Sequence, residues 1–252
     1  MSSLKRFRLS ADLIFAFLYE SFLINYSFTC DQNKIMNLLN KHFRKVLLLN
    51  LDTRKDRLEK SEKILRENQL EFERFAAING HERPDIQMVT AAEIHELPAH
   101  WNRGALGVCL SLLEIFRLAL KENWENVLII EDDIEFLPEL NELLPALLHN
   151  IPARWESLFF GLNTMEQEKF NGYWEKINYG FALHCHAVHR SVYQLLIDEL
   201  SKLRGPADVV YANVLFPRGL SFVSKPKLAF QRADMSSVTN RFEDYTFLRN
   251  QY

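Results

Sequence analysis

Cysteine is scarce in this sequence, and the few cysteines form no recognisable chemical pattern. Cys30, Cys109 and Cys185 are the only ones in 252 residues. Their spacing matches neither a zinc knuckle nor a redox pair. Few, unpaired cysteines are typical of a protein in a reducing compartment. We therefore expect a cytoplasmic protein without a disulfide framework.

A dense basic surface is also missing. The 30 Lys and Arg residues are outnumbered by 33 Asp and Glu residues and are spread along the chain. Binding to nucleic acid requires clustered positive charge that neutralises phosphates. The charge balance therefore predicts no nucleic-acid partner.

The sequence near the amino terminus has no apolar run that reads as a membrane span. The stretch from Leu13 to Ile24 is interrupted by Glu20, and no small-residue cleavage site follows it. A span needs roughly 20 apolar residues, so we expect neither an anchor nor a signal peptide. No repeat or Gly/Ser linker divides the remainder. We expect residues 1–35 to be a peripheral extension and residues 36–252 to be a single domain.

Strand and helix patterns alternate from Lys45 onward, which predicts an α/β domain. Lys45 to Asn50 is an apolar strand, Thr53 to Asn68 is a charged helix capped by Asp52 or Thr53, and Phe72 to Ala77 is a second strand. Later patterns predict helices over Gly104–Glu122, Pro138–His149, Ser191–Leu203 and Asp208–Leu215, and strands over Val127–Ile130, Ser157–Phe160 and Phe181–Val188. Asn163 to Tyr179 is predicted to be a loop, whose aromatic residues either close over a ligand or fill the core.

The strand at Val127–Ile130 ends in three acids, Glu131, Asp132 and Asp133. Carboxylates at the carboxyl end of a strand in an α/β sheet are hard oxygen ligands, placed where such folds bind ligands. Their mutual repulsion is relieved either by a divalent cation or by solvent. The pattern therefore indicates a metal site or a solvated acidic turn.

Several segments of the chain, in order, match known motifs. The run Asn50-Leu51-Asp52-Thr53-Arg54-Lys55-Asp56-Arg57 resembles the N-L-D-x-R-x-D-R signature of glycosyltransferase family 25, which includes lipopolysaccharide galactosyl- and glucosyltransferases and collagen galactosyltransferases. Further similar segments are Phe75–Gly80, Gly104–Ser111, Asn126–Asp133, Pro206–Asp208 and Phe230–Arg232 with Asp234. Leu112 stands where the family has histidine after Ser111, and Leu183-His184-Cys185-His186 keeps one histidine of the family's T-H-A-Y strand.

The resemblance implies a GT-A-like nucleotide-sugar-binding fold with a mixed central sheet flanked by helices. It also implies an inverting enzyme that moves galactose or glucose from a UDP-hexose to a glycan or lipid-linked saccharide acceptor, with Mn²⁺ or Mg²⁺ as cofactor. Lipopolysaccharide or other surface-glycan biosynthesis is the expected setting. A lipid-linked acceptor would bring the enzyme to the inner face of the plasma membrane.

The resemblance also suggests residues on the donor side. Asp133 is the expected metal ligand, and Asp132 binds the metal directly, through water, or reaches the donor ribose, because consecutive strand residues point in opposite directions. Glu131 is expected to be structural. Asn50 and Asp52 end the first strand where a nucleotide would bind. Arg54 and Arg57 either contact phosphates or base edges, or are solvated on a helix face.

On the acceptor side, Asp208 is the expected general base, although its position after Pro206 equally suits a carboxylate in the first turn of a helix. His184 is expected to contact the acceptor or a phosphate. A metal site formed by His184, His186 and His189 lacks an acid to complete it. Matching family segments add Ser111, Gln231 and Asp234 as substrate-binding residues.

Two other classes of function use the same features. A metal-dependent phosphohydrolase or nucleotidyltransferase would use the same acids and release the nucleotide without a sugar acceptor. A non-catalytic nucleotide-sugar-binding protein would keep the fold without the chemistry.

Overall fold

The computed structural model describes residues 37–88, 99–239 and 241–245. Its helices are α1 (Asn37–His42), α2 (Lys55–Glu67), α3 (Ala99–Lys121), α4 (Leu140–His149), α5 (Tyr193–Leu200) and α6 (Ala207–Val214). Its strands are β1 (Lys45–Asn50), β2 (Glu73–Ala76), β3 (Asn126–Glu131), β4 (Ile134–Phe136), β5 (Ser157–Lys169), β6 (Trp174–His189), β7 (Ser221–Ser224), β8 (Ala229–Gln231), β9 (Asp234–Met235) and β10 (Phe242–Glu243). The predicted extension over residues 1–35 lies outside the described residues.

The central sheet has six strands in the order β2-β1-β3-β6-β5-β7. β1 is parallel to β2 and β3, whereas β6 is antiparallel to β3 and β5. The chain runs from β1 to β2 on one side and later places β3 on the other side of β1. The carboxyl ends of β1 and β3 therefore form a topological switch point, where open α/β sheets bind ligands.

Apolar side chains alternate across both faces of the sheet. In β1, Leu47 and Leu49 face a core cluster that includes α3, α5 and α6, whereas Val46 and Leu48 face a cluster that includes α1 and α4. Burial on both faces requires the nearly continuous apolar runs that β1 and β3 show in the sequence. The predicted mixed sheet flanked by helices is confirmed.

The prediction of a loop over Asn163–Tyr179 is wrong, because most of this segment belongs to a long hairpin formed by β5 and β6. Its aromatic residues divide between core and solvent: Trp174 is fully buried and its Nε1–H donates to the Leu147 carbonyl at 3.0 Å, while Phe170 is 52% exposed. Only one face of an extended hairpin needs to be apolar, so its outward face can be polar. The composition of such a segment then resembles that of a loop.

The start of α2 also differs from its prediction. Arg54 is the N-cap residue and makes no side-chain capping bond, so neither Asp52 nor Thr53 caps the helix. Asp56 lies in the first turn, where a negative charge suits the helix dipole. Among the described helices, none has the length and apolar character needed to cross a membrane.

Candidate functional site

The ends of β1 and β3 bring Asn50 beside the acid triplet. Leu49 of β1 pairs in register with Glu131 of β3, so the residues that follow them, Asn50 and Asp132, also lie side by side. The Asn50 Nδ2 amide donates a hydrogen bond to Asp132 Oδ2 at 2.6 Å. The other side of Asn50 accepts a hydrogen bond from Arg74 of β2 at 3.0 Å. The switch point is thus held by polar contacts across three parallel strands.

Asp132 is held on every side by protein groups. Arg57 Nη1 of α2 donates to its Oδ1 at 2.9 Å and to Asp133 Oδ2 at 3.3 Å. The main-chain oxygen of Asp132 accepts hydrogen bonds from Ser61 Oγ and, at 3.1 Å, from Arg232 Nη2. Each carboxylate oxygen of Asp132 thus accepts a hydrogen bond from the protein, which fixes the orientation of the carboxylate.

Asp133 and Glu131 have surroundings that differ from those of Asp132. The Oδ1 atom of Asp133 is buried and has no hydrogen-bond partner among the described residues. Burial raises the pKa of Asp133 to about 6, against the charge of Arg57. Burial, followed by the charges of Asp133 and Asp132, raises the pKa of Glu131 to about 8. A carboxyl group with a raised pKa keeps its proton to a higher pH, so a cation bound beside Glu131 and Asp133 would favour the ionised form of both acids.

A divalent cation fits this arrangement in part. Within the described residues, no group of three or more His, Cys, Asp or Glu side chains is arranged to hold a metal. Mg²⁺ and similar ions in phosphate-handling sites are held by one or two carboxylates together with substrate phosphates, so a ready-made cage is not required. The unpartnered oxygen of Asp133 supplies one such ligand.

A cavity of about 250 Å³, here called the acid cavity, opens beside the triplet. Glu131 and Asp208 both line it, together with Asn163, Gln231, Phe181, Ala182, Tyr245, Val108, Ser236, Val238 and Thr239 among others. Two carboxylates, two side-chain amides and two aromatic rings thus surround one space. That mixture suits a ligand with many hydroxyl groups and apolar C–H faces.

Asp208 lies in the first turn of α6, after the N-cap residue Pro206. Its Oδ1 accepts from the Val209 amide at 2.9 Å, and its Oδ2 accepts from the Ala182 amide of β6 at 3.3 Å. Burial raises the pKa of Asp208, and these amide hydrogen bonds oppose the shift. Ala182 itself has a left-handed backbone with φ of 66°, which aims its N–H at the carboxylate.

A second cavity of about 220 Å³, here called the β1 cavity, lies at the carboxyl ends of β1 and β2. Leu49, Leu51, the turn from Ala77 to His81, and Gly104, Gly107 and Ser111 of α3 line it. A Cβ atom added to Gly107 would lie 2.5 Å from the Ile78 carbonyl oxygen, so the turn packs directly on the helix backbone. Val108 and Val238 line both cavities, which makes the two spaces neighbours.

The segment from Asp234 to Thr239 reaches both cavities: Ser237 and Val238 line the β1 cavity, and Ser236, Val238 and Thr239 line the acid cavity. Arg54 Nη1 and Arg57 Nη2 of α2 both donate to the Met235 carbonyl, at 2.8 and 2.9 Å. Asp234 forms ion pairs with Arg54, Arg57 and Arg232 at 3.4 to 3.6 Å. Burial works against ionisation of Asp234, but the Met235 amide and the charges of Arg57, Lys60 and Arg54 outweigh it and lower the pKa of Asp234. Arg54 and Arg57 therefore bond this segment to the start of α2, and Arg57 also joins it to Asp132 and Asp133.

The sequence model of "Glycosyltransferase family 25 (LPS biosynthesis protein)" matches residues 43–193, which is more than half of the chain. The chain belongs to glycosyltransferase family 25. The matched range includes β1, α2, α3, the acid triplet and the β5–β6 hairpin, whereas Asp208 and the 234–239 segment lie beyond it.

Relatives of this family 25 chain include animal galactosyltransferases. Human procollagen galactosyltransferase 2 is 27% identical over 135 residues, covering 49% of this chain and 21% of the human protein. A glycosyltransferase 25 family member of Drosophila melanogaster is 28% identical over 133 residues, covering 49% of this chain and 22% of that protein. The match thus spans about a fifth of each relative's length.

Among solved structures, a glycosyltransferase involved in the glycosylation of the major capsid of PBCV-1 is similar. Its sequence identity is 12% and its TM-score is 0.43 over 71% of this chain and 80% of that chain.

The structure brings many of the predicted site residues of the family 25 chain into one network. Asn50, Arg57, Asp132, Asp133 and Asp234 interact directly or through one shared partner. Gln231 lies opposite Ile134 in the β4–β8 pair and lines the acid cavity. The chain returns to the acid triplet directly after Gln231, where the Arg232 main-chain N–H donates a hydrogen bond to the Asp133 carbonyl at 2.6 Å.

Other predicted site residues already form bonds with other groups of the protein. Asp52 is exposed and forms an ion pair with Arg74, and Arg54 forms a bidentate pair with Asp56. Ser111 Oγ donates to the Gly107 carbonyl at 2.7 Å and accepts from the Ile78 amide at 2.8 Å, although it lines the β1 cavity. A direct contact of Arg54 or Ser111 with substrate would require these bonds to change, and such contacts stay predictions.

The two histidines of the family strand have different neighbours. His186 Nε2 contacts the Tyr211 hydroxyl at 3.2 Å and its ring stacks on Phe159, while His184 Nε2 contacts the Ala229 carbonyl at 3.2 Å. They do not converge with a carboxylate on a metal site within the described residues.

Sequence reasoning gave no site role to Glu131, Tyr245 or Val238. Glu131 was expected to be structural, yet it is the last residue of β3 and lines the acid cavity. Tyr245 and Val238 reach the cavities only through the return of the carboxyl-terminal segment, for which the sequence pattern gave no signal.

Proposed function

We propose that this chain is a metal-dependent, inverting glycosyltransferase that moves galactose or glucose from a UDP-hexose to a glycan acceptor. One observation carries the proposal: two adjoining cavities share Val108 and Val238, Glu131 of the acid triplet lines one of them, and none of the residues lining either cavity in the described ranges is Lys or Arg. A diphosphate lying between them would need a cation brought from outside, held by Asp133.

The donor would bind across both cavities. The nucleoside would occupy the β1 cavity, and the diphosphate would pass Val238 towards Asp133. The hexose would then lie in the acid cavity near Glu131. A divalent ion bound there would stabilise the negative charge that develops on the leaving diphosphate. Arg57 would hold Asp132 in place, while Asp133 turns its free oxygen to the ion.

Asp208 is proposed to be the general base. The acceptor hydroxyl attacks the anomeric carbon on the face opposite the diphosphate, a new C–O bond forms, and the bond from that carbon to the diphosphate oxygen breaks. The acceptor proton passes to the Asp208 carboxylate, and the negative charge leaves on UDP. A raised pKa brings a carboxylate closer to the proton affinity that general-base work requires.

The acceptor class and the setting are also part of the proposal. The family description names lipopolysaccharide biosynthesis, and animal relatives are named for transfer to procollagen. We propose a glycan or lipid-linked saccharide acceptor in surface-glycan assembly, with the enzyme in the cytoplasm at the inner face of the plasma membrane.

Calorimetric titration of UDP in the presence of Mn²⁺ tests the donor site. Asp133→Ala should weaken binding about 100-fold or more, since loss of even an outer-shell partner of a metal costs about 10- to 100-fold. Asp85→Ala, which removes an exposed carboxylate paired with Arg83, should bind as wild type does. Normal melting with unchanged affinity in Asp133→Ala would remove Asp133 from the site.

Incubation with a UDP-hexose separates the enzyme classes. Transfer should require a saccharide acceptor and Mn²⁺ or Mg²⁺, with little release of UDP when the acceptor is left out. Rapid UDP or phosphate release without acceptor would instead identify a hydrolase. Donor binding with neither reaction, across a panel of saccharide acceptors, would identify a binding protein.

A further inference from the structure

A small chamber adjoins the acid cavity on the side of β8. Asn163, Gln231 and Tyr245 line both spaces, and the chamber is completed by His184, Lys227 and Ala229 with Leu162 and Phe230. Its volume is about 10 Å³. A cavity needs a volume of roughly 10 to 15 Å³ to hold one water molecule, so the chamber has the size of a single hydroxyl group.

His184 gives this chamber a defined hydrogen-bonding character. Its ring is 2% exposed, and its Nε2 lies 3.2 Å from the Ala229 carbonyl oxygen. A carbonyl only accepts, so Nε2 carries the hydrogen. Burial lowers the pKa of His184 to about 4, which leaves the ring neutral at pH 7. The other nitrogen, Nδ1, therefore presents a lone pair.

That lone pair has no donor within the part of the chain that the structure describes, because Nδ1 is buried there without a hydrogen-bond partner. The ring cannot turn easily to find one, because Gly161 lies so close that a Cβ there would be 2.2 Å from Nε2. A buried acceptor without a donor costs about 1–3 kcal/mol, so this site favours a ligand that supplies an O–H or N–H.

The chamber selects for a neutral hydroxyl group. A carboxylate or phosphate monoanion is larger than the chamber and offers lone pairs where Nδ1 needs a proton. A hydroxyl donates to Nδ1 and can also accept from the Asn163 or Gln231 amide at the mouth of the chamber. Lys227, whose Nζ donates to Thr164 Oγ1 at 2.8 Å, forms part of the chamber wall.

We infer that the chamber is a subsite for one hydroxyl group of the sugar ring in the acid cavity, and that His184 Nδ1 accepts the hydrogen bond from that hydroxyl. This inference rests on the proposed function. The transferred hexose and the acceptor sugar both carry such hydroxyls, and either ring would satisfy the chemistry. His184 is then a specificity-determining residue, because a ring without that hydroxyl leaves Nδ1 unpaired.

Transfer kinetics with monodeoxy sugars test the inference. The donor series is UDP-galactose and UDP-glucose with single hydroxyls removed, and the acceptor series removes single hydroxyls from the accepted saccharide. For wild type, one deoxy position should lower kcat/KM about 10- to 100-fold more than its neighbours. Whether that position lies in the donor or in the acceptor series identifies which ring enters the chamber.

Variants of His184 then assign the effect. His184→Gln can keep the donor to Ala229 but lacks the Nδ1 acceptor, so its penalty at that position should fall below about 3-fold. His184→Asn places an amide oxygen near the Nδ1 position and should keep the penalty. His186→Gln is the matched control, because both ring nitrogens of that buried histidine already have partners, and its penalties should equal those of wild type.

Two outcomes overturn different parts of this scheme. If wild type transfers no hexose from either UDP-sugar, the proposed function fails. If transfer occurs but the deoxy penalties of wild type and His184→Gln agree within about 3-fold at every position, the function stands and the hydroxyl subsite is wrong.

Discussion

At the scale of single residues, three neighbouring acids have three different surroundings. Asp132 turns towards Asn50 and Arg57, where both of its oxygens are bound. Glu131 lines the acid cavity, and Asp133 has one oxygen without a hydrogen-bond partner in the described ranges. The triplet was recognisable in the sequence, but the division of its roles depends on which neighbours each side chain meets.

Asp208 gives the first prediction. Asp208→Asn should retain UDP and metal affinity and lower the transfer rate by about 10² to 10⁴-fold, the usual contribution of a general base. Donor affinity by calorimetry and single-turnover transfer should be measured on the same protein. Lost donor affinity would make Asp208 a donor ligand, whereas near-normal turnover would reduce it to an acid that suits the start of α6.

Ala182 gives the second prediction. Its left-handed backbone suits glycine and disfavours β-branched residues. Ala182→Val should therefore lower the free energy of unfolding by about 1–3 kcal/mol and slow transfer, while Ala182→Gly should change stability by less than about 1 kcal/mol. Denaturant unfolding measures both. Ala76→Val, an exposed strand position, is the control and should stay within about 0.5 kcal/mol of wild type. A tolerated valine at position 182 would show that the backbone can relax there.

At the scale of elements, α2 acts as a clamp on the site. Its amino-terminal turn supplies Arg54 and Arg57, which hold the Met235 carbonyl, and Ser61 one turn later holds the main chain of Asp132. The sequence left open whether these arginines bind phosphate or solvate a helix face. Arg57 does neither in this conformation, because it is buried among the carboxylates of the chain itself.

The third prediction concerns Arg57. Arg57→Met removes the cation shared by Asp132 and Asp133 and should lower the free energy of unfolding by about 3–5 kcal/mol without metal. Mn²⁺ should raise the melting temperature of this variant more than that of wild type, because the acids then lack their internal cation. Arg66→Met, on the exposed face of the same helix, should change stability by less than about 0.5 kcal/mol and leave the Mn²⁺ response unchanged. Equal Mn²⁺ shifts in all three proteins would contradict this view of the site.

At the scale of the whole molecule, two apolar layers bury polar groups that respond to pH. His186 lies in the layer formed with α6, stacked on Phe159 and bonded to Tyr211. Burial lowers its pKa from 6.5 to about 4, against the hydrogen bond with the Leu183 carbonyl. The folded protein therefore keeps this ring neutral in a pH range where the unfolded chain takes up a proton.

The fourth prediction follows from that difference. Because the unfolded state binds more protons between pH 6.5 and 4, the stability contributed by a neutral His186 is complete above pH 6.5 and is lost as the pH falls towards 4. Urea unfolding from pH 7.5 to 4 should show that wild type loses on the order of 3 kcal/mol more than His186→Gln. The raised pKa values of Glu131 and Asp133 oppose this trend, but they act equally in both proteins. Parallel stability curves would show that His186 is protonated without unfolding.

The sequence by itself determined the sheet strands with apolar runs, the amphipathic helices, the acid triplet and the family. These features are local, because the spacing of apolar side chains over a short stretch of sequence predicts a strand such as Lys45–Asn50 or the buried face of α3. The Asn163–Tyr179 part of the β5–β6 hairpin escaped the same reasoning because its outward face is polar and because the start of β6 pairs with β7, which is distant in the chain.

Only the tertiary structure decided how the site is assembled. The return of β8 to the acids, the fastening of the 234–239 segment by α2, and the meeting of Asp208 with Ala182 join residues far apart in sequence. Hydrogen bonds of this kind depend on distance and direction after folding, and residue spacing along the chain does not encode them. For the same reason, the unpaired nitrogen of His184 became visible only once its neighbours were in place.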